Sequence, residues 1–238
     1  MFPTVVLVHG AFAESASWDG VIDPLRSAGY PVVAAANPLR GLAADAQAVS
    51  DLVASVDGPV VLAAHSYGGA VMSNVDPDCG DIVGLVYVNA FAPDAGESCF
   101  ALAGKFPGSM LGETTLRAVA RTDGTTDLYI IGDRFGELFC ADVPAAQAAR
   151  LAVTQRPATQ EALVEPSGAH PLWNRVASYF LIGEADRIIP PALQHYMADR
   201  AGAHRTTEIP GASHGATVSQ PHAVAELILH AARVPAAA

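Results

Sequence analysis

The chain has 238 residues, enough to bury one sizeable core, and 51% hydrophobic against 16% charged residues mark a folded protein rather than a disordered one. A formal net charge of −11, with no Lys/Arg cluster, excludes nucleic acid and an anionic membrane surface as partners. Cys79, Cys99 and Cys140 are scattered and form no C-x-x-C pair, so neither a disulfide framework nor a metal site is expected, and no cofactor is called for.

Thr4–Val8 is the first predicted strand, and it leads into the tight turn His9-Gly10-Ala11-Phe12. A strand so close to Met1 leaves no room for a leader, and no apolar run approaches the ~20 residues of a membrane span, so a cytoplasmic protein is expected. Pro31–Ala35 is the second strand. Leu42, Ala46, Val49, Val53 and Val56 then share one helix face, and Gly29 and Gly58 stand where helices should stop. Val60–Ala64 runs into Ser66 and a helix-compatible segment, and Gly84–Val88 follows as a strand. These runs are continuously apolar, as parallel strands covered on both faces should be.

Between Pro93 and Pro171 the rhythm breaks into a stretch rich in Gly, Pro, Thr and Ala. So long a structureless loop is unusual, and a partly helical inserted unit is expected, with Leu138–Val153 helical on both sides of Pro144. Strands resume at Ser178–Ile182 and Arg205–Ile209. Leu193, Tyr196 and Met197 lie on one later helix, Val224, Leu227, Ile228 and Ala231 on the last, and residues 234–238 are expected to fray. The pattern predicts an α/β fold with a mostly parallel sheet of about six strands and helices on both faces. Its core is 1–92 plus 172–238, with 93–171 inserted as a cap over the strand ends where ligand sites of open α/β sheets gather.

One junction carries chemistry. Ala64-His65-Ser66-Tyr67-Gly68 ends a buried strand in a serine flanked by small residues, the pattern of a nucleophile elbow, with Ala64 replacing the usual first glycine. A serine needs a base, and His214, after the last strand between Gly211 and Gly215, is the best placed of eight histidines. His9 and His65 flank backbone motifs, His195, His204, His222 and His230 read as solvated, and His170 reads as a loop residue. Asp186, after the strand Ser178–Ile182, is the expected orienting carboxylate, with Asp94 as its rival and Glu184 read as a solvated charge. The backbone N–H groups of Ala11 and Tyr67 are the expected oxyanion donors. Phe12, Tyr129, Phe135 and Trp173 are the expected pocket residues, although such side chains more often form a cap's own core.

The segments VVLVHGAF, AAHSYGGAV, LVYVNAFAPD, LIGEADRIIP and PGASHGATVSQP resemble those of the α/β-hydrolase superfamily. More narrowly they resemble its small-capped carboxylesterases, a branch that includes plant methyl esterases and hydroxynitrile lyases. The resemblance covers almost the whole chain outside 93–171. It implies the α/β-hydrolase fold, with Ser66 as nucleophile, His214 as base and Asp186 as acid; a small-molecule ester is the expected substrate, and the chain is left open as monomer or homodimer. Acyl transfer and perhydrolysis use the same residues, and a receptor-like ligand-binding protein with little turnover stays open. Cyanohydrin-cleaving members carry a threonine where this chain has Gly10 and a lysine where it has Gly215, which argues against lyase chemistry.

Overall fold

The structure is a computed structural model that describes residues 2–233, so the expectation of a frayed 234–238 tail lies outside the described residues. Strand β1 (Thr4–Val8) is followed by a 3₁₀ turn (Ser15–Trp18) and α1 (Asp19–Ser27), then by β2 (Val32–Ala35), α2 (Leu42–Ala54), β3 (Pro59–His65), α3 (Tyr67–Ser73) and β4 (Asp81–Val88). Gly29 and Gly58, at φ +90° and +88°, turn the chain after α1 and α2 in a conformation that costs other residues dearly.

After β4 the chain leaves the sheet and builds α4 (Cys99–Ala103), β5 (Leu116–Ala120), β6 (Thr126–Ile130), α5 (Gly132–Phe139), α6 (Ala145–Thr154), β7 (Ala158–Thr159) and α7 (Gln160–Val164). It re-enters as β8 (Ser178–Gly183) and closes with α8 (Pro191–Arg200), β9 (Arg205–Ile209), α9 (Ala216–Ser219) and α10 (Pro221–Arg233). The main sheet has six parallel strands in the order β2-β1-β3-β4-β8-β9.

Alternation along each strand builds two cores. Val5, Leu7, Val61, Ala63, Val86 and Val88 face α1 and α10, while Val6, Val8, Val60, Leu62, Leu85 and Tyr87 face α2, α3 and α8. Each wholly buried Val or Leu contributes about 1.5–3 kcal/mol, which is why these strands read as unbroken apolar runs. The chain turns from β1 outward to β2 and then back across to β3, so the carboxyl ends of β1 and β3, paired at Val8 and Ala64, flank the point where a ligand site is expected.

Two features of 93–171 differ from the sequence reading. The segment is partly helical, with α4 to α7, but it also holds a three-stranded antiparallel sheet, β5-β6-β7, that the sequence reading did not include. Most of β5 faces solvent, so its side chains carry little of the periodicity that betrays a strand. The available signal is Asp123-Gly124, at the tip of the hairpin that Arg121 and Thr125 close. The helix around Pro144 is also two helices: α5 starts at Gly132 and ends at Phe139, and Pro144 precedes α6.

Polar side chains fasten this segment to the rest. Arg40 Nη1 pairs with Asp127 at 2.6 Å, Arg200 Nη2 with Glu97 at 2.8 Å, and Glu165 accepts the Leu42 N–H at the start of α2. Asn74 Oδ1 accepts the Gly168 N–H at 2.8 Å.

Candidate active site

Ser66 sits between β3 and α3 at φ +56°, a left-handed conformation that a non-glycine residue holds only under constraint. The constraint is close packing. A Cβ on Gly68 would meet the Val8 carbonyl oxygen at 2.6 Å, so only glycine lets α3 approach β1. Gly10 is equally pressed: a Cβ there would lie 2.6 Å from Ser66 Cβ and 3.2 Å from Ser66 Oγ. Ala64, by contrast, fits with its methyl group wholly buried, which explains the tolerated departure at that position.

The structure brings Ser66, His214 and Asp186 together. The Ser66 hydroxyl is 2.9 Å from His214 Nε2, and His214 Nδ1 is 2.8 Å from Asp186 Oδ2. The carboxylate is fully committed: Oδ1 accepts the Ile188 and Ile189 N–H groups at 2.8 and 2.9 Å, and Oδ2 also accepts Gln194 Nε2 at 3.0 Å. With Asp186 accepting, His214 carries its proton on Nδ1, which leaves Nε2 free to accept from Ser66. Asp94 instead belongs to the β4 exit, where its own Oδ1 accepts the Ala95 N–H, and Glu184 is exposed.

Sequence reasoning missed the residues that hold His214 from behind. Asn89, at φ +43° just after β4, donates from Nδ2 to the carbonyls of Ser213 (2.7 Å) and His214 (3.1 Å) and accepts the Gly183 N–H at 2.7 Å. An Asn directly after a buried strand was the signal. His65 Nε2 donates to the His214 carbonyl at 2.8 Å. Burial, reinforced by the neighbouring His214, pushes the His65 pKa far below its usual value, so this ring is neutral. On the outer side, the Phe139 ring stands edge-on to His214 at 5.0 Å, and Ser213 Oγ bonds to Asp142.

The N–H groups of Ala11 and Tyr67 lie on adjoining loops after β1 and at the first turn of α3. Among the described residues neither donates to a protein acceptor, whereas the Phe12 N–H is taken by the Arg156 carbonyl at 3.0 Å. Beside this constellation lies a cavity of about 300 Å³ whose walls include Phe12, Ser17, Phe135, Phe139 and Val218. Ser66 itself is buried and is not among its walls. Of the expected pocket residues, Phe12 and Phe135 line this cavity. Tyr129 instead lies in a separate depression under the Arg117 guanidinium, and Trp173 is buried with its indole N–H on the Pro93 carbonyl. Among the described residues no three His, Cys, Asp or Glu side chains converge to hold a metal. No helix among them is long and apolar enough to cross a membrane.

Residues 5–227 match a family model described as the alpha/beta hydrolase family. A pyrethroid hydrolase of Sphingobium wenxiniae is 26% identical over 98% of this chain and 88% of its own length. Among solved structures, polyneuridine aldehyde esterase superposes with a TM-score of 0.80 at 21% identity, covering 97% of this chain and 99% of that one. An extracellular alpha/beta-hydrolase from a Paenibacillus species gives a TM-score of 0.80 at 24% identity, covering 98% and 100%. At these identities the structural likeness establishes the fold.

Proposed function

This chain belongs to the alpha/beta hydrolase family, and from that premise we propose that it cleaves the carboxylic ester of a small to medium hydrophobic molecule through an acyl-enzyme on Ser66. The observation that carries the proposal is the buried relay Ser66 Oγ–His214 Nε2 at 2.9 Å and His214 Nδ1–Asp186 Oδ2 at 2.8 Å. Named relatives that hydrolyse a pyrethroid or act as esterases support the reaction class.

In the first half-reaction, the Ser66 oxygen attacks the ester carbonyl while His214 Nε2 takes its proton. Asp186 stabilises the imidazolium that forms, and its four donors fix it for that role. The negative charge on the former carbonyl oxygen is received by the Ala11 and Tyr67 N–H groups, aided by the positive end of α3. His214 then gives its proton to the departing alkoxide. In the second half, His214 deprotonates water, which attacks the acyl carbon, and the proton returns to Ser66 as the acid leaves.

Residues 93–171 are proposed as the cap, with the aromatic walls of the cavity of about 300 Å³ receiving an apolar part of the substrate. Lyase chemistry is disfavoured on steric grounds as well as by sequence. A side chain at Gly10 would collide with Ser66, and a Cβ at Gly215 would meet the Phe139 carbonyl oxygen at 3.0 Å. The three cysteines, unpaired among the described residues, fit a reducing compartment, which supports a cytoplasmic reading.

The test is a panel of nitrophenyl esters from acetate to palmitate, run on the wild type and Ser66→Ala. The proposal expects turnover of the shorter esters and a loss of at least about 10⁴-fold in the variant. Near-normal activity of Ser66→Ala would overturn it. A receptor-like role is the second reading, favoured by the burial of Ser66 and its absence from the walls of the cavity. Binding of an ester with no turnover by the wild type would select it.

A further inference from the structure

Tyr67 follows Ser66 directly, and its backbone N–H is one of the two proposed oxyanion donors, while its side chain runs away from the reacting atoms. The phenol, 1% exposed, donates to Asp45 Oδ2 at 2.8 Å. Asp45 is wholly buried in the first turn of α2, and both of its carboxylate oxygens accept the Arg40 N–H, at 3.0 and 3.2 Å. Arg40 then crosses to the inserted segment. Its guanidinium donates to Asp127 of β6 at 2.6 Å and to the Pro157 carbonyl at 2.9 Å, and its own carbonyl accepts Thr159 Oγ1 at 3.0 Å. An unbroken hydrogen-bonded path thus joins the β6–β7 sheet to the residue after Ser66.

A buried carboxylate is costly to keep unless donors surround it. Burial raises the Asp45 pKa, and the bonds from Arg40 and Tyr67 work in the opposite direction. None of the three side chains hydrogen-bonds to Ser66 or His214 or lines the cavity beside them, so direct chemistry is not their role. What they can set is the position of α3. Ser66 holds its strained φ partly because its carbonyl accepts the Gly69 and Phe91 N–H groups. The Tyr67 phenol supplies a fixed point on the other side of the same peptide unit.

We infer that Asp45 and Arg40 are positioning residues for the Tyr67 N–H, and that Arg40 makes this donor's placement depend on residues 126–159 being seated on the core. The inference rests on the proposed role of Tyr67 at the oxyanion. It requires coupling between two side chains that do not touch each other, and a double-mutant cycle measures such coupling.

The experiment compares the full chain with Tyr67→Phe, Arg40→Ala and the double variant. Readouts are kcat and KM on nitrophenyl butyrate and the inhibition constant of a trifluoromethyl ketone, whose adduct places a negative oxygen where the ester oxygen would be charged. Each single variant should lower kcat and weaken the ketone about tenfold, less than the ~10²–10³ of losing a donor outright, with KM within twofold. The double variant should be no more than about twofold worse than the singles. Arg121→Ala, which loosens Asp127 from its other side without touching Asp45, should stay within twofold.

Additive losses of about a hundredfold in the double variant would overturn the inference. So would a rise in KM with ketone affinity unchanged, or an Arg121→Ala loss equal to that of Arg40→Ala. Should Arg40→Ala fail to fold, Arg40→Lys, which lacks the forked reach to both Asp127 and Pro157, carries the same expectations. Ser66→Ala separates the two levels: full activity there removes the premise, whereas an inactive Ser66→Ala beside an additive cycle removes the coupling alone.

Discussion

The loops at the carboxyl ends of β1, β3, β8 and β9 and the segment 93–171 are both ordered, yet different forces hold them. In the loops, backbone geometry decides. Glycines at 10, 68 and 183 let main chains meet where a Cβ would fall 2.6 Å from its neighbour, and Asn89 ties the ends of β4 and β8 to the His214 loop. The inserted segment adds side-chain ties to a few backbone bonds such as Phe12 N–H to the Arg156 carbonyl, through Arg40–Asp127, Arg200–Glu97, Arg187–Glu137 and the Glu165 cap on α2. Close backbone packing tolerates little change, whereas partly exposed ion pairs can be lost singly at small cost. The proposed chemistry therefore resides in the tightly packed loops, and the proposed contribution to substrate choice in the inserted segment.

The comparison breaks most sharply at Asp186. Asp186→Asn turns an amide toward the Ile188, Ile189 and Gln194 donors and destroys the tautomer control of His214, so kcat should fall about 10⁴-fold. Steady-state rates on a short nitrophenyl ester check this. A loss under tenfold would mean that the loop constellation is less critical than its packing implies. Phe139→Ala acts at the seam between the regions, since Phe139 both lines the cavity and stands on His214. Unfolding stability should drop by about 3–5 kcal/mol, and relative kcat/KM should shift about tenfold toward bulkier esters.

Histidine burial gives a smaller, pH-dependent effect. Burial lowers the His9 pKa to about 4, and His65 is also lowered, so both are neutral in the folded chain but bind protons near 6.5 when unfolded. Folding stability from these rings is complete above about pH 6.5 and is lost as pH falls toward 4. A Tm measured from pH 8 to pH 4.5 should hold steady and then decline below 6.5. A flat profile would contradict the buried, neutral assignment. The smallest effect is expected at the surface: Arg187→Ala removes an ion pair about half exposed on both sides, and stability should change by less than about 1 kcal/mol.

Much of the parallel sheet was already readable in the chain. The inner strands appear as unbroken apolar runs because both their faces are buried, and Ser66 and Asp186 stand out because each follows such a run; His214 follows the polar edge strand β9 and stands out by its place in the order Ser, Asp, His. The structure places these side chains together. What sequence could not reveal were contacts made across long separations. Asn89 reaches His214 over 125 positions and does not announce its partner by residue type; Gln194, only eight positions from Asp186, is equally silent because a glutamine on a helix names no partner. Within 93–171 the solvent-facing β5 shows no strand periodicity. Aromatic character alone grouped Tyr129 and Trp173 with Phe12 and Phe135, but Arg117 covers the first and Pro93 binds the second away from the cavity.

The most direct test of the Ser66 relay is labelling of the intact chain with a nitrophenyl phosphonate, followed by peptide mass spectrometry. A serine activated by His214 and Asp186 should take up one phosphonate per chain, on Ser66, with activity lost in step and no labelling in His214→Ala. Labelling on another residue, or full esterase activity after Ser66 is modified, would contradict it.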